Sequence, residues 1–201
     1  MTFEQWRDLS LRAITTFTTD NDPIWDPHPL CLLHDRSGRN VVVDLIAFFQ
    51  LGQSKELLST VVLPLLLAKT EAQFISLTYG AWGLRMTGNP VVDSVAVNRA
   101  RRTGMLVNIP HDQKTELQVA LIGDGESEEL WEVEVERGEY GTRCAGPWSP
   151  MDETPNVRSE HVPLRVLTNA FQSATEVPYA DWMRISESLG INMTSSKSHL
   201  N

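Results

Sequence analysis

The sequence predicts an α+β fold: an antiparallel sheet of about five to six strands in ββ-α-ββββ order, with an N-terminal helix, a central helix and short C-terminal helices packed on it. Three observations predict it. The first is alternation within residues 104–137, where Met105, Val107 and Ile109, then Leu117, Val119 and Leu121, then Trp131, Val133 and Val135 take every second position. Strand side chains point to opposite faces with a period of two, so each segment reads as a strand with one face to bury. The second is turn chemistry. Pro110-His111-Asp112 and Gly123-Asp124-Gly125 separate the three segments, which makes them an antiparallel meander. The third is a helical period elsewhere: Phe3, Trp6, Leu9, Ala13, Ile14 and Phe17 recur at threes and fours, the mark of a helix with one buried stripe.

Taken in order, Thr2 and Gln5 form a capping box that opens a helix over residues 3–19, and Asp20-Asn21-Asp22-Pro23 ends it. An apolar run at residues 30–33, a turn at Asp35-Arg36-Ser37-Gly38 and a second strand over residues 41–49 make a hairpin. Ser54 caps the central helix, whose Leu57, Leu58, Val61, Val62, Leu65 and Leu66 span a wide apolar arc. Pro64 removes a backbone donor and should kink or divide that helix near Leu63. Residues 74–86 read as a long strand in which Gly80 and Gly83 suggest a bulge or a close backbone approach. Residues 87–103 read as a polar connection without a clear period. Beyond the meander, residues 137–155 are rich in Gly and Pro and should be irregular, with Trp148 tucked against the core. Residues 163–171 and 179–189 read as short helices, the second ending at Gly190. Residues 1–190 thus form a single domain, and the polar, Ser-rich residues 191–201 a disordered tail.

This element order is similar to the helix-flanked antiparallel sheet of profilin-like, roadblock and GAF domains. The resemblance covers roughly residues 3–136, rests on element order, and implies no site residue.

A chain of 201 residues with 41% hydrophobic and 21% charged residues can bury a core without staples. Its formal net charge of -9 argues against general nucleic-acid binding, which needs a surplus of Lys and Arg on one face. That charge suits a self-repelling particle or one that meets a basic partner. Cys31 and Cys144 are too few for a disulfide framework, which points to a reducing compartment. Glu4 and Asp8 stand where a secretory signal would carry basic residues. The most apolar stretch, residues 57–68, is shorter than the roughly 20 residues of a spanning helix. A cytoplasmic protein that engages no membrane is expected.

Four groups carry possible chemistry. His28, Cys31, His34 and Asp35 have metal-ligand side chains and would serve a metal-dependent hydrolase. On a strand, however, His28 and His34 share one face and Cys31 takes the other, so the plainer reading is a core strand with polar flanks. An acidic ridge comprises Asp124, Glu126, Glu128, Glu129 and Glu139 together with Glu132, Glu134 and Glu136. The last three share a strand face about 7 Å apart, where repulsion in water is about 0.6 kcal/mol per neighbouring pair. The fold tolerates that on a solvated face. Arg99, Arg101 and Arg102 make the one basic concentration, with Arg143 further on, suited to pairing with acidic groups within the chain or across subunits. Cys144 beside Arg143, and His111 with Asp112, are candidates for nucleophilic catalysis that lack a placed partner. Neither a Gly-x-Gly-x-x-Gly nor a Walker sequence occurs, and no cofactor is expected. These features favour a non-catalytic protein-interaction domain acting through its acidic sheet face or by self-association, with Glu132, Glu134, Glu136, Arg99, Arg101 and Arg102 as binding residues. A metal-dependent hydrolase and a small-ligand sensor are the alternatives.

Overall fold

The computed structural model describes residues 1–19, 29–84, 87–103, 110, 114–138, 141–151, 165–174 and 177–196. Thr2 and Gln5 do form the capping box: the Thr2 amide donates to Gln5 Oε1 (2.9 Å) and the Gln5 amide to Thr2 Oγ1 (3.3 Å). It opens helix α1 (Phe3–Thr19). Strands β1 (Leu30–Asp35) and β2 (Asn40–Asp44) make the expected hairpin. The second strand is shorter than its apolar run suggested, because Asp44 Oδ1 accepts from the Ile46 amide and starts helix α2 (Ile46–Gln50). Ser54 caps α3 (Lys55–Leu57) by accepting from the Leu57 amide. A π-helical segment (Leu58–Val62) follows, then α4 (Leu63–Thr70). Pro64 offers no N–H to the turn before it, and the helix is re-registered just ahead of it, as expected.

Strand β3 (Ala72–Leu84) pairs with β4 (Lys114–Gly123) in unbroken register from Ile75 opposite Gly123 to Leu84 opposite Lys114. No bulge occurs at Gly80 or Gly83, but the alternative of a close approach holds at Gly83, where an added Cβ would stand 2.8 Å from Leu117 Cδ1; the irregularity lies between His34 and Asp35 where β1 meets β3. Residues 87–103 are not a plain connection but contain helix α5 (Pro90–Thr103). Asn89 Oδ1 accepts from the Val91 and Val92 amides, and Pro90 begins the first turn, where its missing N–H leaves no bond unmade. The Gly123–Gly125 turn is as read: Asp124 Oδ1 accepts from the Glu126 and Ser127 amides. Strand β5 (Glu128–Gly138) returns along β4. The expected first meander strand, residues 105–109, lies outside the described residues, as do His28, His111, Asp112 and Glu139.

Two short strands, β6 (Gly141–Cys144) and β7 (Ser149–Pro150), occupy the segment expected to be irregular, both pairing with β5. Helices α6 (Val166–Gln172) and α7 (Tyr179–Ser188) follow, with Gly190 in the left-handed region (φ +67) after the second. The tail needs correction. Asn192–Ser196 is strand β8, paired residue by residue with β2; Val41 and Val43 on β2 are a ready template, and only residues 197–201 fall outside the description. The sheet order is β6-β5-β4-β3-β1-β2-β8, antiparallel at each pairing.

Both faces of the sheet centre are covered, not one. Cys31, Leu33, Val43, Ile75, Leu77 and Leu121 pack under α2, α4, α6 and α7 with Phe48, Leu63, Leu66 and Leu167. Leu32, Phe74, Ala120 and Ile122 pack on the other face under α1 with Trp6 and Ile14. Each fully buried Leu or Phe contributes about 1.5–3 kcal/mol relative to exposure. Glu128, expected on a wet ridge, is instead a structural cap. Its Oε2 accepts from the Leu167 amide (3.1 Å), the Thr168 amide (3.1 Å) and Thr168 Oγ1 (3.3 Å). Helix α6 has no side-chain cap of its own, since Arg165 ahead of it is left-handed (φ 73).

Candidate functional site

The site lies where helical cover stops. Because paired strand residues share a face, the rows on the larger-core side read Leu77–Leu121–Leu130, then Tyr79–Val119–Glu132, then Ala81–Leu117–Glu134. The first row is beneath helices. The second is the boundary: Val119 is buried, while the Tyr79 hydroxyl is buried without a partner among the described residues and burial pushes its phenol up. In the third row Leu117 is half-exposed and Glu134 exposed, and Glu136 follows two residues on along β5.

The three ridge carboxylates therefore differ in surroundings, which the alternation pattern could not reveal. Glu132 is half-buried; burial raises its carboxyl, and no hydrogen bond or ion pair among the described residues engages it. Glu134 Oε1 accepts from the Thr115 hydroxyl at 2.5 Å. Glu136 is held by the Arg143 guanidinium, at 3.1 Å from Nε and 2.7 Å from Nη2. A trough of about 430 Å³ runs along this face, lined by Leu84, Thr115, Leu117, Glu132, Glu134 and Pro147. A second hollow of about 480 Å³ adjoins it at the strand ends, beside Trp82, Lys114, Glu116 and Arg137. Arg137 neutralises Glu116 there, with Nη2 at 2.5 Å and Nε at 2.7 Å.

Helix α5 belongs to the same end of the sheet, since β3 leads into it. Its start is clasped: Asp93 accepts from the Thr87 amide and hydroxyl (both 2.8 Å) and from the Gly88 amide (3.1 Å), with Gly88 left-handed at φ +77. The Thr87 amide is the main cause of that carboxyl's lowered pKa. Val91, Val92 and Val95 stand outward, 71%, 40% and 62% exposed, and no described element packs broadly along the helix. Trp82, 48% exposed, ends the neighbouring strand. Arg99, Arg101 and Arg102 fall on the C-terminal half of α5. Sequence reading missed the valines, although Asn89-Pro90 ahead of Val91, Val92 and Val95 is a capped helical spacing that could have found them.

The other candidates are not assembled. Cys31 is buried in the larger core, where burial pushes its thiol up. His34 lies on the opposite face between Trp6 (ring centroids 5.7 Å apart) and Phe74 (6.1 Å), with Nδ1 2.7 Å from Asn40 Oδ1. Asp35 is committed to its own turn, accepting from the Ser37 hydroxyl, the Arg39 amide and Arg39 Nε. Among the described residues no group of three His, Cys, Asp or Glu side chains converges as a metal site. Cys144 also departs from expectation. Neighbouring residues of β6 face opposite ways, so Arg143 meets Glu136 while Cys144 lies against Thr15 and Thr18; burial raises its thiol more than those hydroxyls lower it. That is the reverse of nucleophile activation. No described helix is long and apolar enough to cross a membrane. Comparison with protein-family models, with curated proteins and with solved structures finds no match to the chain.

Proposed function

We propose that this chain is a non-catalytic protein-interaction domain whose binding surface is the open end of the sheet together with α5. The carrying observation is the outward row of Val91, Val92 and Val95 on a helix that no described element covers broadly. Exposed valines in such a row mark a surface that is covered in use, and burying the three on a partner would contribute about 2–4 kcal/mol. The half-buried Glu132 and the exposed Glu134 beside the trough add an acidic rim that selects for a basic partner. Cys31 and Cys144 are free thiols on opposite faces, which supports a cytoplasmic location. A net charge of -9 disfavours nucleic acid as the partner. The ligand-sensor alternative has less support, since both hollows lie at the sheet end and the space beneath the helices is filled by Phe48, Leu63, Leu66 and Leu167.

The test is a triple variant, Val91→Ser, Val92→Ser and Val95→Ser, compared with the wild type by light scattering and by affinity capture from native extract. Association present in the wild type and lost in the variant, at unchanged melting temperature, is the expected result. A wild type that stays monomeric and captures nothing beyond what the variant captures would overturn the reading.

A further inference from the structure

We infer that Glu132 receives one arginine side chain of a basic protein partner, the guanidinium on its carboxylate and the methylene stem along Leu117 and Pro147 in the trough. This deepens the interaction reading above, on which it rests, by naming what the partner must present. A comparison of neighbouring carboxylates carries it. Glu116 is held by the Arg137 fork, one oxygen taking Nε at 2.7 Å and the other Nη2 at 2.5 Å. Glu136 accepts from Nε and Nη2 of Arg143, and Glu134 accepts from the Thr115 hydroxyl. The chain thus supplies partners to the carboxylates around Glu132. Glu132 is half-buried and has none among the described residues. A carboxylate partly withdrawn from water is poorly solvated until a donor or a cation meets it.

The trough shapes what can reach that carboxylate. Leu117 lies across Gly83 of β3, where an added Cβ would stand 2.8 Å from Leu117 Cδ1, so the floor stays low and apolar. Leu84 and Pro147 extend that surface, and Glu132 lines the same cavity of about 430 Å³. An apolar floor beside a carboxylate fits a side chain with a hydrocarbon stem and a charged head. Arginine fits better than lysine for two reasons. Neither oxygen of Glu132 has a partner among the described residues, so a planar fork can make two parallel N–H···O bonds, as Arg137 does with Glu116. A guanidinium is also less strongly hydrated than an ammonium, which eases its approach to a half-buried group. Charge complementarity sets the sign of the partner, because a chain of net charge -9 draws basic surfaces.

The experiment selects ligands from a displayed library of random heptapeptides, on the full wild-type chain and on Glu132→Gln, which keeps the shape of the side chain. Burial raises the Glu132 carboxyl, so its ionisation opposes folding, and Glu132→Gln should melt no lower than the wild type at pH 7. Peptides retained by the wild type should share one arginine position. The tightest is then remade with that arginine changed to lysine or to citrulline, the uncharged isostere, and each form is titrated against both proteins. On the wild type, citrulline should weaken binding at least about tenfold, and lysine by less. On Glu132→Gln the arginine peptide should lose a similar factor and citrulline should add little, as two halves of one contact require. A wild type that retains no peptide, retained peptides without a common arginine, lysine that binds as well as arginine, or a citrulline penalty unchanged in Glu132→Gln would each overturn the inference. So would a Glu132→Gln protein that melts well below the wild type, which would give Glu132 a structural role, or a wild-type dimer that Glu132→Gln dissociates, which would make the occupant a second copy. Peptides that ignore Glu132 but are lost in the triple variant Val91→Ser, Val92→Ser and Val95→Ser leave the interaction reading standing and remove only the arginine site.

Discussion

Replacing Asp35 by Asn tests whether the β1–β2 hairpin is held by a buried anion. Burial by itself would raise this carboxyl, yet the Arg39 amide, the Ser37 hydroxyl and the Arg39 guanidinium together lower it from 3.8 to about 2. Its side chain is 3% exposed while that of Arg39 is 57% exposed, so solvent weakens the ion pair but screens the contacts to the Arg39 amide and the Ser37 hydroxyl little. A drop of about 1.8 units, at 1.36 kcal/mol per unit, corresponds to about 2 kcal/mol of stability when the group is ionised. Because the folded pKa lies below the unfolded one, that contribution is complete above pH 4 and disappears as pH falls towards about 2. Asparagine keeps one acceptor but turns a donor towards Arg39, leaving its guanidinium without a partner. Denaturant unfolding of wild type and Asp35→Asn at a series of pH values should give a difference of about 2 kcal/mol at pH 7 that shrinks below pH 4. A difference under about 0.5 kcal/mol at pH 7, or one that does not change with pH, would refute the reasoning.

Other outcomes follow from the same contacts. Glu128→Ala should cost about 1 kcal/mol in chemical denaturation by uncapping α6. Desolvation raises the folded carboxyl of Glu128 above 4.5, so its ionisation opposes folding, and the wild type should lose ground to Glu128→Gln as pH rises past 4.5. Gly190→Ala forces a Cβ into the left-handed region at φ +67, 3.0 Å from Ala47 Cβ, and should lower stability by about 1–2 kcal/mol or more in the same assay. In Cys144→Ser protein the remaining thiol, Cys31, should react with an aromatic disulfide reagent only as fast as the sheet opens; prompt reaction of native protein would show that β1 is not buried.

Sequence reading recovered what depends on neighbours along the chain. The Thr2–Gln5 box, the Ser54 cap, the break at Pro64, the Asp124 turn and the alternation of Val133 and Val135 are each settled within a few residues. It mistook α5 for a connection because the arginines masked a short valine row, and it missed β8 because Asn192–Ser196 is polar and gains its order from pairing with β2. Of the candidate site, the ridge and the arginines were legible as types and positions. Their surroundings were not: burial of Glu132, the Arg143 contact of Glu136 and the use of Glu128 as a cap come from side chains brought in by other strands and helices.

The residue order alone therefore determined where the chain turns, which segments extend or coil, and that Cys31 and His34 on one strand would face apart. Only the folded arrangement decided which faces the helices cover and which carboxylates gain a partner, because burial and charge pairing act through space between residues far apart in the chain.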